Sequence, residues 1–374
     1  MLLVVLLLAV GISALISKRL CAGASTTRVY VSLLFSLIVS IGITIAWFGH
    51  RFPSHQQATV WKLMAVVFYD VCFTFPTFFI GTYIVFMSLK RRSTKARLHV
   101  VPFLMSTAVM SFALGLLGCG IYASKIEPNS VEVTHTEIST PYLKAGTPPL
   151  KIVQLSDLHI EGFGYRERRA LQFVKEAKPD IIVLTGDYTN SWKNTPHVQR
   201  FLKALHAKYG VYAVHGNWNP PPRSEEFFTG TSIHVLNNRS ESIRTRSGRV
   251  VIGGIFWYPV QDAGRALAGV DTRGSYVILL SHMPDAALHV PRSVDLVLAG
   301  HTHGGQVRLP LIGPIVTYSA VGRHRSAGLS KLDNGGYLYV NRGLGLEGGW
   351  APRIRFICRP EVTVLTIKPL NTHR

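Results

Sequence analysis

Apolar residues follow two patterns along this chain, and the change falls near residue 123. Before it, residues 2–16, 29–47, 60–89 and 100–123 are four mostly apolar stretches. A helix needs about 20 apolar residues to cross a hydrocarbon core. The last three stretches reach that length, so an α-helical transmembrane region of about four helices is expected over residues 1–123. The first stretch is shorter, but Lys18 and Arg19 follow its apolar run instead of preceding it, which favours a retained span over a cleaved signal. Beyond residue 148 the runs shorten to 152–156, 181–185, 211–215, 276–280 and 294–299. Runs of this length, rich in β-branched side chains, read as buried strands. Residues 166–177 have helical spacing and stop before Lys178-Pro179, as a helix does ahead of proline. Residues 198–208 and 263–268 are further helix candidates, and 250–256, 337–340 and 362–367 further strands. Residues 124–148 read as a connector and 149–370 as one domain, for which periodicity supports a mixed α/β class.

Charge sharpens this division. The chain has 374 residues and a formal net charge of +20. Residues 1–123 hold ten Lys or Arg and a single acid, Asp70, while the remainder holds thirty Lys or Arg against nineteen acids. Lys18, Arg19 and Arg28 flank the first connection between apolar stretches, and Lys90, Arg91, Arg92, Lys95 and Arg97 crowd the third. The second connection has only Arg51 and Lys62. Basic loops stay in the cytoplasm. A multi-pass cell-membrane protein with an extracytoplasmic C-terminal domain is therefore expected. Asp70 within the third stretch reads as a carboxylate bonded to a neighbouring helix or set near the interface. Only Cys358 lies in the globular part, which rules out an internal disulfide there, and no Cys-x-x-Cys pair suggests a zinc finger.

Each short apolar run ends in a polar island: Asp157-Leu158-His159, Gly186-Asp187, Gly216-Asn217, His282 after Ser281, and Gly300-His301-Thr302-His303. Side chains placed just past parallel buried strands meet at one end of a sheet. Carboxylate, imidazole and amide oxygen together suit a hard-to-borderline divalent metal. Seven such groups are enough for two metals that share one carboxylate.

The islands, in this order and spacing, resemble the signature of the calcineurin-like metallophosphoesterase family: Asp-x-His, Gly-Asp, Gly-Asn-His-Asp/Glu, His, Gly-His-x-His. The run 300–310, together with 280–285, Asn341-Arg342-Gly343-Leu344-Gly345 and the ending from Arg355-Phe356 to Pro360-Glu361-Val362, is similar to its membrane-associated YkuE-type branch. The likeness covers residues 148–368 and leaves the first 125 aside. It implies an αββα sandwich of two mixed sheets and a cofactor of two divalent metal ions, Mn, Fe or Zn. Asp157, His159, Asp187 and His303 would hold the first metal. Asp187, Asn217, His282 and His301 would hold the second, with Asp187 bridging, and these four would carry the catalysis. The implied reaction is in-line attack by a hydroxide bridging the metals on a phosphodiester, phosphomonoester or pyrophosphate.

One position departs from the family pattern. Where the family commonly has Gly-Asn-His-Asp, this chain has Gly216-Asn217-Trp218-Asn219. Trp has an indole N–H donor but no titratable proton. The metal-binding Asn217 is retained, whereas general acid catalysis, worth about 10²–10⁴-fold in rate, loses its usual residue. His215 is a conceivable substitute near the substrate, and Arg342, in a glycine-rich run, a conceivable phosphate contact. A basic domain beside a membrane is drawn to anionic lipid, by about 1 kcal/mol for each well-placed basic residue. A lipid-linked or envelope-related phosphate ester is therefore the expected substrate and membrane lipids the expected partners, with a soluble nucleotide or a catalytically weak metal-binding membrane scaffold as alternatives. No basic and aromatic stripe suits a nucleic-acid strand, and nothing points to a specific protein partner.

Overall fold

The structure, a computed structural model, describes residues 67–76, 80, 100–257, 263–347 and 353–370. The chain divides into two compact units, Met1–Ser124 with Gly349–Pro352, and Lys125–Gly348 with Arg353–Arg374. In the first unit, a π-helical turn covers Asp70–Thr74 and helix α1 covers Val100–Ile121, whose side chains are described only from Met110 onward. Among the described residues no helix is long and apolar enough to cross a membrane. The four expected spans thus lie mostly outside the described residues and gain no support within them.

The second unit holds two mixed sheets of six strands each. The first contains β1 (Glu132–Thr140), β2 (Leu150–Leu155), β3 (Ile181–Thr185), β4 (Val211–Val214), β5 (Ile233–Val235) and β14 (Glu361–Pro369), in the order β1-β14-β2-β3-β4-β5. Strands β2 to β5 run parallel, and β14 lies antiparallel to β2. The second contains β6 (Arg239–Thr245), β7 (Gly248–Gly254), β8 (Ser275–Leu280), β9 (Leu296–Ala299), β12 (Gly328–Lys331) and β13 (Tyr337–Val340), in the order β12-β13-β9-β8-β7-β6. Its four central strands are parallel and both edges antiparallel. A small hairpin, β10 (Arg308–Leu309) with β11 (Gly313–Pro314), stands apart.

Alternation along the strands explains the layering, because successive side chains point to opposite faces. Ile152, Ile181 and Ile278 point into a core shared by the two sheets, with Tyr212, Ile252 and Leu298. Their neighbours Val153, Ile182 and Leu184 pack outward beneath helices α2 (Tyr165–Ala177) and α3 (Thr195–Lys203). On the far side, Val277, Leu279 and Val297 pack against the short helix α4 (Ala263–Ala266). Strands buried on both faces are largely apolar, and the buried polar exception in β2, Gln154, donates to Thr185 at 3.1 Å and to the Ala299 carbonyl at 2.9 Å.

Within the expected connector over 124–148, residues 132–140 form β1 and pair in parallel with β14 along their whole length. This strand lies at the sheet edge and is mostly half-exposed or exposed. Its Thr, Glu and His residues therefore leave no apolar run to read.

Candidate metal centre

The polar islands follow directly on β2, β3, β4, β8 and β9, so the parallel strands of both sheets deliver them to a common rim. Backbone hydrogen bonds lace the loops together. Asp157 N–H donates to the Gly186 carbonyl at 3.0 Å, His159 N–H to Asp187 at 3.1 Å, and Gly300 N–H to His282 at 3.0 Å. The His301 N–H donates to the Asp157 carboxylate at 3.0 Å. Five of the seven expected ligands adopt left-handed backbone: Asp157 (φ 47°), His159 (37°), Asp187 (54°), His301 (67°) and His303 (50°). Non-glycine residues rarely do so, and such strain clusters at functional sites. Two glycines are obligatory here. A Cβ on Gly216 would strike Asp187, and one on Gly300 would strike Ser156 and Asp157.

The donor atoms of Asp157, His159 and His303 all lie within 4.8 Å of one another, as do those of Asp157, Asp187 and His282. Asn217 Oδ1 lies 2.8 Å and His301 Nδ1 3.2 Å from His282 Nε2, so all seven groups form one continuous set. Their hydrogen bonding tests whether a cation fits. His159 Nδ1 bonds Asn190 Oδ1 at 2.7 Å and so carries the proton, leaving Nε2 as a lone pair aimed at His303 Nε2, 3.1 Å away. His282 Nδ1 likewise donates to the Thr185 carbonyl at 2.8 Å, and its Nε2 faces Asp187 Oδ2 at 3.2 Å. Acceptors that face acceptors in a buried site are unfavourable unless a cation or proton lies between them. The donor set therefore fits divalent metal.

The charges read the same way in the protein alone. Burial opposes a charged His282, but the carboxylate of Asp187 wins and raises it to about 9. Asp187 itself is disfavoured by burial yet held at about 2 by His282. Burial pushes Asp157 up to about 6, with the charge of Asp187 adding to the rise. Burial lowers His159 and His301 to about 4, keeping both imidazoles neutral at physiological pH.

A sequence model of the family described as "Calcineurin-like phosphoesterase" matches residues 150–305. The chain is 32% identical over 263 residues to the uncharacterised metallophosphoesterase YkuE of Bacillus subtilis, covering 67% of this chain and 90% of that one. The chain belongs to the calcineurin-like phosphoesterase family. Similarity also extends to phosphodiesterase YaeI of Escherichia coli, 31% identical over 66% of this chain and 92% of that one. The UDP-2,3-diacylglucosamine pyrophosphatase LpxG of Chlamydia trachomatis is 27% identical, again over 66% of this chain and 92% of that one. As a calcineurin-like phosphoesterase, the protein is a metal-dependent hydrolase of phosphoric ester bonds, and its family uses two divalent metals.

The other expected site residues fare differently. His215 is fully buried, with Nδ1 bonded to Ser224 at 2.9 Å and Nε2 to Glu225 at 3.1 Å, so no ring nitrogen is left for a substrate. Arg342 bonds Glu361 at 3.0 Å and also pairs with Glu132, which makes it a structural cation and not a free phosphate contact. Trp218 sits at the rim, its ring edge-on to His159 at 5.9 Å, and its backbone N–H donates to Asp187 Oδ1 at 2.9 Å. Asn219 caps the loop after β3, accepting from the N–H groups of Tyr188 and Thr189 at 2.8 and 2.9 Å.

Three supporting groups, Asn190, Glu347 and Arg355, were not among the expected site residues. Asn190 sets the tautomer of His159. Glu347 lies close enough to feel the site, and burial, with the charges of Asp187 and Asp157, raises its carboxyl to about 7. Arg355 is fully buried and donates to the carbonyls of Arg342, Gly343, Gly345 and Cys358. The loop it grips returns to the metal centre, where Leu344 N–H donates to the Ser156 carbonyl at 2.9 Å and Gly345 N–H to the Asp157 carbonyl at 2.7 Å.

Proposed function

We propose that this calcineurin-like phosphoesterase is anchored in the cell membrane with its hydrolase domain outside the cytoplasm, where it cleaves a phosphodiester or pyrophosphate bond of a lipid-linked substrate. The continuous set of seven buried or half-buried donors after β2, β3, β4, β8 and β9 carries the catalytic part of this reading. Asp157, His159, Asp187 and His303 would hold one cation, and Asp187, Asn217, His282 and His301 the other. When bound, the two cations supply Lewis acidity that acidifies water and offsets charge on the phosphate.

The chain's own residues set the rest. Asn190 and the Thr185 carbonyl lock the tautomers of His159 and His282 so that both present Nε2 inward. Trp218 offers the leaving group an aromatic surface and no titratable proton. A leaving group that departs without a proton suits that rim, and the phosphate released from a pyrophosphate is one. The likeness to a diacylglucosamine pyrophosphatase supports the same substrate class. Four apolar stretches and the basic first and third connections support the membrane location and orientation.

Turnover by the full chain in detergent tests the reading. A chromogenic phosphodiester and a nucleoside diphosphate ester should both be hydrolysed with Mn²⁺ or Zn²⁺ and not after chelation. Failure with both esters and every metal would return the protein to a metal-binding membrane scaffold. A C-terminal reporter active only in the cytoplasm would overturn the orientation.

A further inference from the structure

The β10–β11 hairpin is built against the ordinary rules for a surface turn. Its tip runs Leu309-Pro310-Leu311-Ile312, where turn chemistry favours Gly, Asn or Asp. Leu311 is fully exposed and Ile312 is 62% exposed, with Leu309 and Ile315 exposed beside them. Leu311 also adopts φ 65°, a left-handed conformation that a branched apolar residue occupies at a cost. Exposure and backbone strain both work against Leu at this point of the fold, so neither explains it.

A second strained apolar residue adjoins the first group. Ile357 is exposed at φ 53°, the rarer case for a β-branched side chain. Its segment is tied to the hairpin base, because Arg308 N–H donates to the Phe356 carbonyl and Phe356 N–H to Gln306, both at 2.9 Å. It is also tied to the first residues of this unit, since Glu127 accepts the Ile357 N–H at 2.9 Å, next to the exposed Ile126. The same segment reaches the metal centre, where the Cys358 thiol donates to the His303 carbonyl at 3.2 Å. Hairpin, metal rim and the first residues of this unit are thus joined by hydrogen bonds.

Two arginines flank the neck of the hairpin. Arg308 bonds the Gly304 carbonyl at 3.0 Å and Arg323 the Pro314 carbonyl at 2.8 Å, and neither has a carboxylate partner among the described residues. An apolar tip beside a pair of arginines matches the profile of a lipid surface, with acyl chains within and anionic headgroups at its boundary. We propose that the β10–β11 hairpin dips its tip into the outer face of an anionic bilayer, seating the metal rim against the headgroups. This rests on the membrane location above and gives it a contact surface. A lipid-linked phosphate would then reach the metals without leaving its bilayer.

The test uses the full chain in phosphatidylglycerol–phosphatidylcholine nanodiscs, carrying Cys21→Ser, Cys72→Ser and Cys119→Ser. Leu311→Cys is labelled with an environment-sensitive fluorophore. The reference site is Asp333→Cys in the β12–β13 turn, at the opposite ends of the strands from the metal ligands. The Leu311 label should emit at shorter wavelength and be quenched by acyl-chain nitroxide lipids, while the Asp333 label stays aqueous. Adding Ile312→Asp should weaken insertion by about tenfold or more, as expected for one apolar anchor exchanged for a charge. A Leu311 label as aqueous as the Asp333 label overturns the proposal. Shielding that appears only with two chains per disc marks a second copy as the occupant and overturns it equally. Hydrolysis of a soluble diester needs no bilayer, so loss of docking and loss of the phosphoesterase reading give separate results.

Discussion

Arg355 is expected to hold the metal centre together without touching a ligand. Its guanidinium makes five hydrogen bonds to four carbonyls: Nε to Gly345 at 3.2 Å, Nη1 to Cys358 at 3.1 Å, and Nη2 to Arg342, Gly343 and Gly345 at 2.9, 3.0 and 2.6 Å. Burial lowers it to about 10, so it remains a cation at neutral pH. In Arg355→Met the four carbonyls, three of them on buried residues, lose a charged donor, at about 1–3 kcal/mol each. Relief of the buried charge offsets several kcal/mol of that total, leaving a net loss of about 3–5 kcal/mol. For a unit of this size each kcal/mol moves Tm by about 2–4 °C, so a drop of about 6–20 °C should appear by calorimetry. The gripped loop holds the backbone of Ser156 and Asp157, so metal affinity should also fall by about 10–100-fold, as when an outer-shell partner of a ligand is lost. Arg355→Lys keeps the charge but loses the fork, and should fall between the two in both measurements. Melting within about 2 °C of the parent, together with unchanged metal titration, would refute the clamp.

Asp187→Asn should bind fewer than two metals by elemental analysis and lose more than about a thousandfold in kcat, and full metal content with normal turnover would sink the two-metal reading. Asn190→Ala frees His159 to rotate and change tautomer, and should weaken metal binding by about 10–100-fold with little change in the melting of the chelated protein. Trp218→His restores a titratable donor, so kcat should rise by about tenfold or more on esters with alkyl leaving groups and hardly at all on nitrophenyl esters. Glu347 has a carboxyl raised above its unfolded value, so in the chelated protein it penalises the fold increasingly as pH rises from about 4.5 through about 7. Glu347→Gln should therefore stabilise the chelated protein at pH 8 by at most about 3 kcal/mol, less where water screens the group, and leave it unchanged near pH 4.

The centre of the domain was legible because its elements are local. Each expected ligand follows a mostly apolar run, and runs buried on both faces announce parallel strands without any knowledge of their neighbours. The partners of single polar residues are not local. Arg342 is neutralised by Glu132, which lies 210 positions earlier, and by Glu361 on β14. Both contacts exist because β1 and β14 pair, and β1 is too polar to read as a strand. His215 looked free for the same reason, since its partners Ser224 and Glu225 come from a loop whose return over the ring has no periodic signal. The apolar hairpin tip is the reverse case, because its sequence is plain to read while its exposure is visible only in the fold.

Strain at the ligands follows from how far apart these pieces are in sequence. Five left-handed residues among the expected ligands, at about 1–3 kcal/mol each, are a large fraction of the stability of a domain, which is typically about 5–15 kcal/mol. They persist because backbone bonds between distant segments leave the loops no alternative. Asp157 is held by Gly186, His301 and Gly345, from three separate stretches of chain. A ligand loop cannot relax unless those contacts break together. Metal loading should therefore protect these loops from hydrogen exchange as one cooperative unit. Substitutions at the clamp, such as Arg355→Met, should release all of them at once even in the absence of metal.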